Sequence, residues 1–142
     1  MFRSLLSVLA GVAVLTGASF AIEAVVNPLL LRVFPDTLPN PEALLSNQWV
    51  KILTFAYGLI CVAAGGYITA RIARRLPVRH AAAMGVLQAG LTIMAMLSPV
   101  ANHASRLQWI MTAILSIPAA LAGGSVYEFL NNERLEEAPA DA

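Results

Sequence analysis

Charged residues divide the chain into four long uncharged stretches. Ser4 to Ile22 gives 19 residues closed by Arg3 and Glu23, and Ile52 to Ala70 gives 19 closed by Lys51 and Arg71. Ala81 to Ser105 gives 25 closed by Arg79 and Arg106, and Leu107 to Tyr127 gives 21 closed by Arg106 and Glu128. A helix crossing a bilayer's hydrocarbon core needs about 20 mostly apolar residues. The pattern therefore predicts spanning helices near residues 4–26, 48–72, 80–100 and 107–130. The runs are continuously apolar and rich in Ala and Leu, without the alternating ten-residue segments of a membrane barrel. The expected fold is all-α: a single membrane domain over 1–142, built as a left-handed four-helix up-down bundle.

Composition agrees with the pattern. Of 142 residues, 58% are hydrophobic and 12% charged, half the roughly 25% charged content of a soluble domain. So few charges cannot cover the surface of a water-soluble enzyme of this length. The net charge of +1 offers no basic footprint for nucleic acid. The one cysteine, Cys61, excludes an intramolecular disulfide and a cysteine-rich metal site, and reads as a small packing residue within the second span. No cofactor or metal is expected, and the principal partner is the lipid bilayer itself.

The distribution of arginines sets the orientation. Arg71, Arg74, Arg75 and Arg79 fall within nine residues between the second and third spans. With that hairpin in the cytoplasm, Arg3 and Arg134 fall on the same side, against Arg32, Lys51 and Arg106 outside. Both termini are then cytoplasmic, and the protein is expected as a multi-pass protein of a bacterial cytoplasmic (inner) membrane. The arginine rim also suits anionic lipid head groups, at about 1 kcal/mol for each charge near the surface. A competing reading of the first stretch is a cleaved signal peptide, with Arg3, an apolar run from Leu5 to Leu15 and small residues around Ser19-Phe20-Ala21. The 19-residue run is long for such a segment, and cleavage would leave the other spans oriented as before.

Between the first two spans, Val25 to Leu31 is too apolar for a free loop. It either continues the first helix, bent at Pro28, or lies in the interface. Pro35, Pro39 and Pro41 break regular structure further on. Asn40-Pro41-Glu42 predicts a short outer helix over 41–45: Asn at the N-cap, Pro at the first helical position, an acid in the first turn. Trp49 and Trp109 sit at the outer ends of spans, where indoles favour the interface. Small residues recur four apart: Ala81, Gly85 and Ala89, then Ala119/Gly123, Ala120/Gly124, Cys61/Gly65, Gly66/Ala70 and Ala13/Gly17. Helices in lipid associate through such close backbone approach. Pro118 should kink the fourth span, since it leaves the Ile114 carbonyl without its helical donor. The tail over 135–142 is expected to be disordered.

Few groups can carry chemistry. An ionisable residue within the membrane is a functional candidate by default, which singles out Glu23. From Leu5 to Glu23 is 18 residues, about 27 Å of helix, which puts the carboxylate near the outer interface, paired with Arg106, Lys51 or Arg32. Gln88 and Thr92, one turn apart, serve as interhelical glue or as the wall of a polar pocket. His80 and His103 are about 34 Å apart along the helix and cannot share a metal. Asn102, His103 and Arg106 form an outer polar cluster within reach of Glu23 in principle.

One stretch resembles a known group: Thr54-Phe-Ala-Tyr57-Gly, Gly65-Gly66-Tyr67-Ile-Thr69-Ala70-Arg71, Arg79-His80-Ala81 with Gly85, and Ile117-Pro118-Ala119 with Ala122-Gly123-Gly124. Over roughly the last 90 residues it resembles a family of small, uncharacterised bacterial four-helix inner-membrane proteins. The resemblance implies that location and topology and supplies no catalytic residues. The leading functional expectation is a non-enzymatic accessory or association module, as a homo-oligomer or with a membrane-protein partner. A dimeric small-molecule or ion transporter would need Gln88, Thr92 and Ser116 on a shared cavity. An outer-rim enzyme would need Glu23 and His103 within hydrogen-bond reach.

Overall fold

The computed structural model describes residues 2–73, 76–98 and 105–136, with side chains placed for 4–73, 76–98 and 105–132. Every regular element is helical: α1 (Phe2–Val33), α2 (Pro41–Ser46), α3 (Gln48–Ala73), α4 (Pro77–Met96) and α5 (Arg106–Glu136). Three of them, over Ser4–Val33, Gln48–Ala73 and Arg106–Asn132, are long and apolar enough to cross a membrane.

The boundaries differ from the sequence expectation in three places. First, α1 runs through Pro28 to Val33, past the bound at residue 26, so of the two readings of Val25 to Leu31 the continued helix is the one found. At 32 residues it is about 48 Å long, against a hydrocarbon core of about 30 Å. Pro28 deprives the Ala24 carbonyl of its helical donor, and Ala24 is exposed at that turn. Second, α4 stops at Met96 rather than at 100, because Pro99 disfavours helical backbone at the residue before it. With Arg79, His80 and Gln88 among its 20 residues, α4 is not one of the three apolar spans. Third, α5 continues to Glu136, so Leu135 and Glu136 are helical rather than part of a disordered tail; 137–142 lie outside the described residues. Pro118 lies inside α5, which stays helical on either side of it.

The contacts define how the helices run. Gly11 and Leu15 of α1 meet Gly65 and Thr69 of α3, whereas Glu23 meets Tyr57; α1 and α3 are therefore antiparallel. Gly66 faces Ala120, and Tyr67 stacks edge-on against Tyr127 with centroids 5.6 Å apart, so α3 and α5 are parallel. Gly85 faces Ile117 and Gly124 faces Ala81, which makes α4 and α5 antiparallel. α3 and α4 each touch the other three long helices.

The half of the assembly nearer the α3–α4 hairpin is held by glycines. A Cβ on Gly85 would lie 2.9 Å from Ala120 Cβ and 3.0 Å from Ile117 Cα, and one on Gly124 2.6 Å from Ala81 Cβ. A Cβ on Gly65 would lie 2.8 Å from the Gly11 carbonyl oxygen, and Cβ atoms on Gly66 and Gly123 would run into the backbones of Ala120 and Ala63. Lipid tails are as apolar as the helix faces, so this contact, rather than a hydrophobic force, holds the helices together. Leu15, Cys61, Val62, Met84 and Ala120 form the buried cluster at the centre.

A second, smaller core sits at the other end. Leu30, Leu38, Leu44 and Val50 bury one another where the end of α1 meets α2 and the start of α3. The Asn40 side chain accepts from the Ala43 N–H at 2.8 Å and caps α2. Phe34 and Trp49 close the edge of this cap, ring centroids 5.6 Å apart. The left-handed backbone of the α3–α4 hairpin falls on Leu76, at φ 51°, a conformation that L-residues with a Cβ resist.

A candidate binding chamber around Glu23

The polar residues of α1 form a stripe. Ser19, Glu23 and Asn27 recur every four residues and so share one helix face. That face looks toward Thr54 and Tyr57 on α3 and Gln108 and Thr112 on α5. Between them lies a partly open cavity of about 280 Å³, walled by Ser19, Glu23, Thr54, Tyr57, Gln88 and Thr112 among others. A side compartment of about 270 Å³ extends along α1, with Thr16, Ser19, Glu23 and Gln88 in its wall. A third of about 190 Å³, toward α2, has Glu23, Asn27, Lys51 and Tyr57 in its wall together with Leu44 and Leu45. Glu23 is common to all three, and Gln88, near the middle of α4, lines two of them.

Glu23 is half-buried, and the Tyr57 hydroxyl donates to its Oε1 at a long 3.5 Å. The sequence predicts pairing with Arg106, Lys51 or Arg32. Among the described residues Glu23 makes no ion pair. Lys51 lines the outer compartment with it, and Arg32 and Arg106 are exposed. A 3.5 Å contact is at the limit of hydrogen-bond geometry, so the Tyr57 contact is a weak one.

The other predicted positions divide. Gln88 lines the chamber, but Thr92 does not: its hydroxyl donates to the Gln88 carbonyl at 2.9 Å, back onto its own helix. Ser116 is fully buried and donates to Thr112 and Ala113 carbonyls at 2.7 and 3.0 Å. The shared cavity that transport would require therefore includes one of the three residues, and the Thr92 hydroxyl bonds within its own helix. His103 and Asn102 fall outside the described residues, as do Arg74 and Arg75. Arg71 and Arg79 are exposed at the hairpin end, and His80 Nδ1 lies 3.1 Å from the Leu76 carbonyl oxygen.

Ser19, Thr54, Gln108 and Thr112 escape a reading that takes residues one at a time. Each is uncharged, and each sits in a stretch apolar enough to span. The available signal was their spacing: 19/23/27, 54/57 and 108/112 each place polar groups on one helix face. No family profile, curated protein or solved structure matches the chain. Functional assignment therefore rests on this geometry.

Proposed function

We propose that the protein is a multi-pass protein of a bacterial inner membrane, in which α1, α3, α4 and α5 all span as an up-down bundle with both termini cytoplasmic. In this reading it is a non-enzymatic binding module that takes a small polar solute from the outer side. The observation that carries this reading is the asymmetry of the interior. A chamber reaches from the outer cap to Gln88, while the other half is closed by backbone contacts at Gly65, Gly66, Gly85 and Gly123. An open channel would need a polar path through that half as well.

Two features support α4 as the fourth span. Its 20 residues make about 30 Å of helix, the thickness of the core. Its low apolarity comes partly from Gln88, which faces the chamber and not lipid, and from Arg79 and His80 at its end, where long side chains reach the interface. Val86, Leu91 and Met94 point outward from the same helix, Met94 being 70% exposed. The arginines of the hairpin favour the cytoplasmic side. α1 contributes Leu15 to the central cluster and Glu23 to the chamber, which suits a retained helix rather than a cleaved leader.

Cysteine accessibility tests this directly. In a Cys61→Ala background, Ser19→Cys and Thr54→Cys should react with a membrane-impermeant maleimide added to intact spheroplasts. Ser116→Cys should stay protected, and Leu76→Cys should react only after permeabilisation. Labelling of Leu76→Cys from outside would invert the orientation. Protection of both chamber cysteines from the outer side would remove the binding module.

A further inference from the structure

We propose that the chamber's solute is a small amphipathic amine, bound as its ammonium ion by Glu23. This rests on the outward-open chamber described above and goes further by assigning the solute's charge and shape.

The argument begins with charge. The two deeper compartments have Glu23 in their walls and no lysine or arginine. Glu23 is half-buried and is the one charged group in those two walls, so a cation seated there gains a charge-assisted contact. The remaining polar groups at this level, Ser19, Thr54, Tyr57, Gln88, Gln108 and Thr112, are hydroxyls and amides. Each carries an oxygen that can accept from the N–H groups of an ammonium ion beside the carboxylate. Lys51 shares with Glu23 the compartment at the α2 end and is absent from the walls of the two deeper ones.

Shape selects among cations. The deeper cavity of about 280 Å³ is far larger than the roughly 10–15 Å³ of probe space that a single water needs, so an organic body fits beside the charge. Leu15, Phe55, Leu59 and Val62 form an apolar wall in the same compartment, and Trp109 lines it as well. An indole face attracts a cation within about 6 Å. A bare metal ion would leave that apolar wall unused, and an anion would meet the carboxylate.

The test uses the full chain in detergent micelles, with Trp49→Phe so that Trp109 is the only indole. Phenylalanine at 49 keeps an aromatic partner for Phe34. Three probes of similar shape are titrated against Trp109 fluorescence: 2-phenylethylammonium, neutral 2-phenylethanol and anionic phenylacetate. The ammonium should give a saturable change, with the alcohol and the acid at least about tenfold weaker, as one lost charge-assisted contact implies. Glu23→Gln should bring the ammonium down to the level of the alcohol. Equal binding of ammonium and alcohol to the unsubstituted chamber would overturn the proposal, as would unchanged ammonium binding by a folded Glu23→Gln variant. If none of the probes binds while Ser19→Cys still labels from outside, the amine assignment falls and the open chamber stands. If the label fails too, both fall.

Discussion

The glycines at the helix contacts give the most direct measure of whether this packing holds the protein together. At Gly123 an added methyl would overlap the Ala63 carbonyl oxygen and lie 2.9 Å from the Tyr67 nitrogen. Both obstacles are backbone, so no side chain can turn away, and α3 and α5 would have to separate. At Gly85 the nearest atom is at 2.9 Å, about 0.5 Å inside the 3.4 Å at which ordinary contact begins. At Gly17 nothing lies within 4 Å. Overpacking of this kind costs about 1–3 kcal/mol, whereas replacing an exposed helical glycine by alanine gains up to about 1 kcal/mol. Gly17→Ala should therefore be neutral or slightly stabilising. Gly85→Ala should be destabilised by about 1 kcal/mol and Gly123→Ala by about 2 kcal/mol after the propensity gain is set against the clash. Titrating the purified variants from mild detergent into SDS, with helix content followed by circular dichroism, gives the order. A Gly123→Ala protein as stable as Gly17→Ala would refute the close approach of α3 and α5 and, with it, the closed half of the interior.

Two further outcomes test the ends of the helices. Leu38 is fully buried in the small core around α2, so Leu38→Ala should cost that core about 2–5 kcal/mol; limited proteolysis should then cut between residues 34 and 47 while the long helices stay protected, and an unchanged digest would show that this region does not depend on its core. Leu76 holds a left-handed backbone at φ 51°, a strain of about 1–2 kcal/mol for an L-residue, so Leu76→Gly should be neutral or stabilising by up to about 1 kcal/mol in thermal melts once the glycine's greater freedom in the unfolded chain is counted; a clear loss of stability would contradict that hairpin geometry.

Much of the architecture is legible in the chain because lipid imposes a length rule. Uncharged stretches near 20 residues are visible without any knowledge of partners, and three helices in the structure meet that rule. The ends of the helices are less legible. The extension of α1 through Pro28 depends on whether the orphaned carbonyl is near water. The shortness of α4 depends on a single proline, and its marginal apolarity reflects Gln88, whose environment no local pattern reveals. Glu23 is prominent as a lone acid beside an apolar run, yet among the described residues it forms no ion pair, since pairing depends on which side chains come within reach.

What the amino-acid order determines by itself is therefore the helical class, the apolar spans, the arginine-rich hairpin and the short capped α2, all consequences of local composition and one-dimensional spacing. Tertiary structure decides the rest. It sets α3 parallel to α5, aligns the stripe of Ser19 and Glu23 with Thr54, Tyr57 and Gln108, and puts the glycine contacts in one half only. The physical reason is that each helix carries several small-residue and polar faces of similar strength, and only the mutual fit of backbones at the glycines selects which faces meet. The chamber is the space left where those glycines run out.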